Sequence, residues 1–402
     1  MERLPSGSAA IRSRFDASVQ AALVTAALSA TFGPAEAGRA GDVSPVAILE
    51  SASVEGAAGA YSQDRDAPAR LEADRDRGGV NPDGGDHILM ISTRGIGTRC
   101  DVAAMAGGLR CERRDANGRW RRLSWEETLA DFAEPMPTVI YVHGNRISDE
   151  ADKPHGLGLY RWLAARKTGA APMRYVIWSW PATKIRGQIK DYEVKAARTR
   201  PCGWQLAWTI DRLPTSSPLA IVGYSYGARV TTGALHVLGG GRLGELELAE
   251  RVHPERPPLS VALVAAAVDA QWLRPEGYHG RALGQTARLV LANNTLDPAM
   301  RFYPISPVGR HATALGYAGV PGRESLGELA ARIHCVDMTA AVGRHHALSA
   351  YLSTATLGRA LGQVVDLPAV MPDVSLASQG LWSTRSSEAS EVAGRDSSGP
   401  RQ

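Results

Sequence analysis

Apolar residues in the middle of the chain gather into short continuous runs instead of alternating with polar ones. The runs HILMIST (residues 87–93), TVIYV (138–142), MRYVIWSW (173–180) and LAIV (219–222) are each about the length of a strand, as are those at 259–267, 287–292 and 332–336. A strand needs such unbroken apolar character when both faces of its sheet are covered, as in a parallel sheet packed between helices. WRRL (Trp120–Leu123) reads as the partner in a hairpin. Between the runs, residues 156–167 (GLGLYRWLAARK), 204–213 and 228–238 (ARVTTGALHVL) carry apolar side chains at helical spacing. The last of these stops at Gly239-Gly240-Gly241, a natural helix terminator. The alternation predicts an α/β fold: a mostly parallel central sheet with helices on both faces.

The pattern fades at both ends. Residues 38–86 are rich in Gly, Ala, Asp and Arg without a period, and residues 64–86 (DRDAPARLEADRDRGGVNPDGGD) read as a solvated linker. Residues 375–402 are rich in Ser, Gly and charge. The expected organisation is a leader and linker over 1–86, one α/β domain over 87–366 and a disordered tail over 367–402. Within the leader, residues 19–32 (VQAALVTAALSATF) follow Arg3, Arg12 and Arg14 and precede Ala35-Glu36-Ala37, as in a signal peptide. Gln20 and Thr25 interrupt that run and Asp16 precedes it, which suits an uncleaved leader; export and a cytoplasmic location are both compatible with it. Nothing reaches the roughly 20 uninterrupted apolar residues that span a bilayer, so no integral membrane segment is expected.

Composition narrows the function classes. The net charge of +4 over 402 residues is small and dispersed, which argues against nucleic acid as a partner. Four cysteines cannot build a disulfide scaffold. Cys100 and Cys111 flank a Gly-containing segment and would pair across a hairpin in an oxidising compartment; reduced, buried thiols are the alternative. There is no CxxC pair or His-rich cluster, so neither a metal nor any other cofactor is expected.

The candidate chemistry centres on Gly223-Tyr224-Ser225-Tyr226-Gly227, set between the LAIV run and the helix at 228–238. A serine on so tight a strand-to-helix turn is held in a strained backbone, with its hydroxyl lifted above the sheet edge at a helix N-terminus. Side chains at positions 223 and 227 would collide with neighbouring backbone, hence glycine. Ser225 is therefore the candidate nucleophile. His143-Gly144-Asn145 follows the TVIYV run, where this kind of fold draws one oxyanion donor; the other comes from the residue after the nucleophile. The backbone N–H groups of Asn145 and Tyr226 are the candidates, and His143 reads as a brace for its loop.

YVHGN (Tyr141 to Asn145) and IVGYSYGA (Ile221 to Ala228), with the later acid and histidine segments, resemble the α/β-hydrolase superfamily, in particular its uncharacterised bacterial lipase/esterase-like members. The resemblance covers about residues 87–357 and implies an α/β-hydrolase fold and a triad in the order Ser, acid, His. Asp297 and Asp269 both follow strand-like runs in the right interval. Asp297, in an Asp-Pro turn after the penultimate run, is preferred and Asp269 is the alternate. The histidine should follow the last run, at His345 or His346. The resemblance favours His346, five residues before Tyr351, with His345 as the alternate. The implied activity is serine hydrolysis of a carboxylic ester through an acyl-enzyme, on a small-molecule or lipid-like acyl substrate. Tyr224, Tyr226, Trp178, Trp180 and Trp272 are candidate walls for an apolar pocket, or else core packing, and residues 182–202 form a polar insertion long enough to cap it. A catalytically silent scaffold of the same fold, or the same triad acting on an amide or thioester, are the competing readings.

Overall fold

The apolar runs become the strands of one sheet. The computed structural model describes residues 85–167, 171–301, 303 and 312–365; the signal-like run, nearly all of the 1–86 leader and the 367–402 tail lie outside the described residues. Nine strands are described: β1 (His87–Ser92), β2 (Arg110–Arg114), β3 (Trp120–Leu123), β4 (Thr138–Val142), β5 (Arg174–Ser179), β6 (Leu219–Tyr224), β7 (Leu259–Val264), β8 (Thr286–Asn293) and β9 (Ile333–Asp337). They line up as β3-β2-β1-β5-β4-β6-β7-β8-β9. From β1 to β9 in that order every neighbouring pair is parallel. Only β2, antiparallel to both β1 and β3, runs the other way.

The helices are α1 (Val102–Gly108), α2 (Trp125–Ala133), α3 (Asp152–Ala164), α4 (Gln188–Arg212) and α5 (Tyr226–Leu238), followed by the shorter α6 (Pro298–Arg301), α7 (Leu315–Ala318), α8 (Thr339–Val342) and α9 (Leu348–Leu352), then α10 (Ala355–Val365). Strand β5 shows why its sequence is apolar throughout. Tyr175 and Ile177 point to one face and share a core with Leu159 and Leu163 of α3 and Leu357 and Leu361 of α10. Val176 and Trp178 point to the other and join Leu206 and Ile210 of α4 and Val230 and Ala234 of α5. Successive side chains thus enter two cores, and no position on the strand can be polar without a partner. The sole charged residue of β5, Arg174, is buried at its start and has partners: Nε donates to Asp131 Oδ1 at 2.7 Å and an Nη to Thr138 Oγ1 at 3.1 Å. This is the α/β-hydrolase fold, the sheet the apolar runs predicted.

One local expectation changes. The helix expected from residue 204 begins at Gln188 and runs for 25 residues through Pro201. Proline lacks an N–H and ordinarily breaks a helix in sequence reading. Here Cys202, Leu206 and Ile210, all fully buried, carry the helix across it against the sheet. Residues 188–202 of the polar insertion belong to α4, and Asp191 and Lys195 on it have no exposure. Cys100 and Cys111 are unpaired, with α1 lying between them. Burial, helped by the charge of Asp101, pushes the Cys100 thiol up to about 12.

Helix α2 starts from a reciprocal cap. Ser124 Oγ accepts from Glu127 N–H at 3.0 Å while Glu127 Oε2 accepts from Ser124 N–H at 2.7 Å. Among the described residues no helix is long and apolar enough to cross a membrane. Replacing Ser124 by Ala should lower stability by about 1 kcal/mol. The check is a lower urea midpoint with an unchanged slope.

Candidate active site

The chain reverses its winding between β4 and β6. The path from β4 to β5 passes through α3 on one face, and the path from β5 to β6 passes through α4 on the other. Since β4 and β6 are hydrogen-bonded neighbours, the loops leaving their carboxyl ends part and open a crevice, the usual binding position in such sheets. Among the described residues, three that are not glycine have left-handed φ: Arg146 at 63°, Ser225 at 53° and Ala265 at 47°. They follow β4, β6 and β7, three adjacent strands. Each costs about 1–3 kcal/mol of backbone strain, and strain of this kind gathers where geometry serves function.

The turn carrying Ser225 is fixed from several sides. Its φ and ψ are 53° and −118°. Its N–H donates to Val264 O at 3.0 Å, and its carbonyl accepts from Ala228 N–H at 3.1 Å and Ala267 N–H at 3.2 Å. A Cβ on Gly227 would stand 2.0 Å from Val142 O and 2.7 Å from His143 O; one on Gly223 would stand 2.8 Å from Ala228 Cα. The first is a collision of backbone with backbone, which no rotamer change relieves. Glycine is obligatory at 227 because α5 starts directly over the end of β4.

Ser225 Oγ lies 3.1 Å from His346 Nε2, and His346 Nδ1 lies 2.7 Å from Asp297 Oδ2. All three residues are buried. A proton on Nδ1 suits both contacts: Nδ1–H donates to the carboxylate and Nε2 accepts the serine hydroxyl. Asp297 is held in turn. Its Oδ1 accepts from Ala299 N–H at 2.9 Å at the start of α6, and Tyr351 O–H donates to Oδ2 at 3.4 Å. Tyr224, beside the serine, donates its O–H to His346 O at 3.0 Å and so ties the histidine loop to the turn. The alternates fall elsewhere. Asp269 Oδ1 accepts from Gln271 N–H at 2.9 Å and its backbone bridges to Ala314, whereas the carboxylate on His346 is that of Asp297. His345, next to His346, is exposed.

His143 is the brace its position suggested. Nδ1–H donates to Gly144 O at 2.9 Å, Trp180 N–H donates to Nε2 at 3.3 Å, and the two rings stack. Burial, with the nearby Arg94 charge, holds its pKa well below the ordinary histidine value, so it stays neutral. Among the described residues, no protein acceptor takes the backbone N–H of Asn145 or of Tyr226. Trp178, Trp180 and Trp272 are core residues, exposed by 2% or less. Nothing in the sequence marked Tyr224 as holding the histidine loop. Asp191, in a stretch read as polar insertion, was not marked as reaching the Asn145 loop either; its i, i+4 spacing from Lys195 was the available signal.

No protein-family model matches this sequence, and no curated protein does. Solved structures that superpose loosely on the chain include an esterase of Pyrobaculum calidifontis (14% identity, 81% of this chain and 97% of that one, TM-score 0.37). Esterase B of Lactobacillus rhamnosis (14%, 80% and 96%, TM-score 0.36) and an acetylxylan esterase (15%, 58% and 97%, TM-score 0.31) are others. Likeness at this level fixes neither a substrate nor the role of any residue.

The glycine geometry is open to direct test. Gly227→Ala should lose more than about 3 kcal/mol of stability or fail to fold. Gly144→Ala, whose Cβ would meet only the Tyr224 ring at 3.0 Å and Ser225 Cβ at 3.2 Å, should lose about 1 kcal/mol. Equal midpoints for the two variants in chemical denaturation would contradict the account of the turn.

Proposed function

We propose that the chain is a serine hydrolase that cleaves carboxylic esters. The carrying observation is the hydrogen-bonded line from Asp297 through His346 to Ser225, ending on a serine whose backbone is strained. A merely structural serine in a turn has no need of a buried histidine–carboxylate pair aimed at its hydroxyl.

In this reading His346 Nε2 takes the hydroxyl proton as Ser225 Oγ attacks the ester carbonyl carbon. Asp297 keeps the imidazole in the required tautomer and stabilises the imidazolium that forms. The carbonyl oxygen becomes an oxyanion that accepts from the N–H groups of Asn145 and Tyr226, the latter at the N-terminus of α5. Collapse expels the alcohol, which leaves with the proton from His346. A water molecule, deprotonated by the same histidine, then attacks the acyl-enzyme, and the acid is released with Ser225 restored. Every group involved belongs to the chain, so no cofactor enters the scheme. The substrate is a small-molecule or lipid-like acyl ester.

A fluorophosphonate probe tests the reading. Wild-type protein should be labelled at neutral pH and Ser225→Ala should not; equal labelling of the two would rule it out. On a graded series of p-nitrophenyl acyl esters, Asp297→Asn should lower kcat by about 10⁴-fold, while Asp269→Asn should stay within about tenfold of wild type. His346→Ala should be inactive and His345→Ala close to wild type. A larger loss at Asp269 or His345 would reassign the corresponding role. Parallel amide and thioester substrates show which acyl bond is preferred.

A further inference from the structure

Helix α4 carries a buried carboxylate that the scheme above does not use. Asp191 has no exposure and receives four hydrogen bonds. Toward the loop after β4, Oδ2 accepts from Asn145 Nδ2 at 3.2 Å and from Arg146 Nε at 2.9 Å. Toward the loop after β5 and its own helix, Oδ1 accepts from Ile185 N–H at 2.8 Å and from Lys195 Nζ at 3.0 Å. The other end of the Asn145 amide is fixed as well, since Oδ1 accepts from Arg146 N–H at 2.8 Å. Arg146 N–H is shared with Ala182 O at 2.9 Å. The strained φ of Arg146 thus lies directly between two groups that Asp191 holds.

Resting on the serine-hydrolase reading, we infer that Asp191 is a positioning residue: it sets the oxyanion loop by clamping the side chains of Asn145 and Arg146, so that the Asn145 N–H faces the position of the reacting oxygen. The physical case has three parts. A left-handed backbone at a residue with a side chain relaxes unless its surroundings hold it, and Asp191 supplies charge-assisted bonds to that residue and to the one before it. Both ends of the Asn145 side-chain amide are anchored, and its backbone N–H has no protein acceptor among the described residues. The carboxylate is ionised where it sits. Burial would raise its pKa, but the hydrogen bonds from Arg146, Ile185 and Lys195 outweigh burial and hold it below the ordinary value. The acceptor is therefore charged over the neutral range.

Asp211, on the last turn of the same helix, supplies the control. It is equally buried and accepts from Arg251 Nε at 2.7 Å, Val252 N–H at 2.8 Å and His253 N–H at 3.4 Å, but belongs to the opposite end of α4. Asp191→Asn should lower kcat by about 10- to 100-fold with KM changed by less than about twofold, and should weaken inhibition by an alkyl boronic acid in the same proportion as kcat. Asp211→Asn should lower the unfolding temperature by as much and leave kcat within about twofold. Asn145→Ala keeps the backbone N–H and removes only the anchored amide. It should reproduce the kcat loss, and the Asp191→Asn/Asn145→Ala double variant should be no worse than the weaker single one. If Asp191→Asn does not fold, Asn145→Ala alone decides the matter through the same kcat and boronate readouts. An active wild type whose kcat and boronate affinity survive Asp191→Asn, or Asn145→Ala, overturns the role of Asp191 and leaves the hydrolase reading standing. A wild type without Ser225-dependent labelling overturns that reading, and this inference with it.

Discussion

Helix α5 starts over the carboxyl end of β4, so close that a methyl group on Gly227 would penetrate the Val142 carbonyl. This approach compels Ser225 into its left-handed conformation, because only a turn that sharp can take the chain from β6 into a helix placed there. The strain is tolerated because Val264, Ala267 and Ala228 hold both backbone groups of Ser225. The serine Cβ is then fixed in space by the backbone, and its hydroxyl lies 3.1 Å from His346 Nε2. The neighbouring residues are arranged around that point: the His346 loop is tied to Tyr224, and Asp297 to the start of α6.

Charge is handled in the same manner along the whole carboxyl edge of the sheet. Asp152, Asp191 and Asp297 are all completely buried, and each is met by donors. Ser179 Oγ donates to Asp152 at 2.6 Å, and the Arg94 guanidinium stands 3.5 Å away. Arg146 and Lys195 meet Asp191, and His346 meets Asp297. A buried carboxylate left unpaired would cost several kcal/mol, so each of these partners is a constraint on where a loop can run. Arg94 shows this most plainly, since the same guanidinium that faces Asp152 also donates to the carbonyls of Ile147 and Ser148. The loop after β4 is therefore pinned twice, once from β1 and once from α4.

Much of this was legible before the structure. The continuous apolar runs located the parallel strands to within three residues at either end, because a strand buried on two faces has no freedom to be polar. The glycines of the turn were readable for an equally local reason: the obstruction comes from the turn itself. Strand β2 was not readable: four of its five residues are charged, and the contact of Arg113 with Asp131 that holds it leaves no periodic mark. The start of α4 was not readable either, because what carries the helix across Pro201 is the burial of Cys202, Leu206 and Ile210 against the sheet. The aromatic residues near the site were ambiguous in sequence, as a tryptophan packs equally well in a core or along a pocket.

What the sequence determined by itself is the set of local necessities: which segments are strands, where the chain turns sharply, and that a serine stands on the sharpest turn. Tertiary structure decided which distant residues meet that serine. Asp297 and Asp269 stand at comparable places in the chain, each after a strand, and only the sheet order and the path of the loops bring one of them, and not the other, to His346. Asp191 is the stronger case. Its partners lie some 45 residues earlier, and the need for a carboxylate there arises only once α4 is laid against the loop after β4. Local propensity depends on neighbours in sequence, whereas the pairing of buried charge depends on neighbours in space.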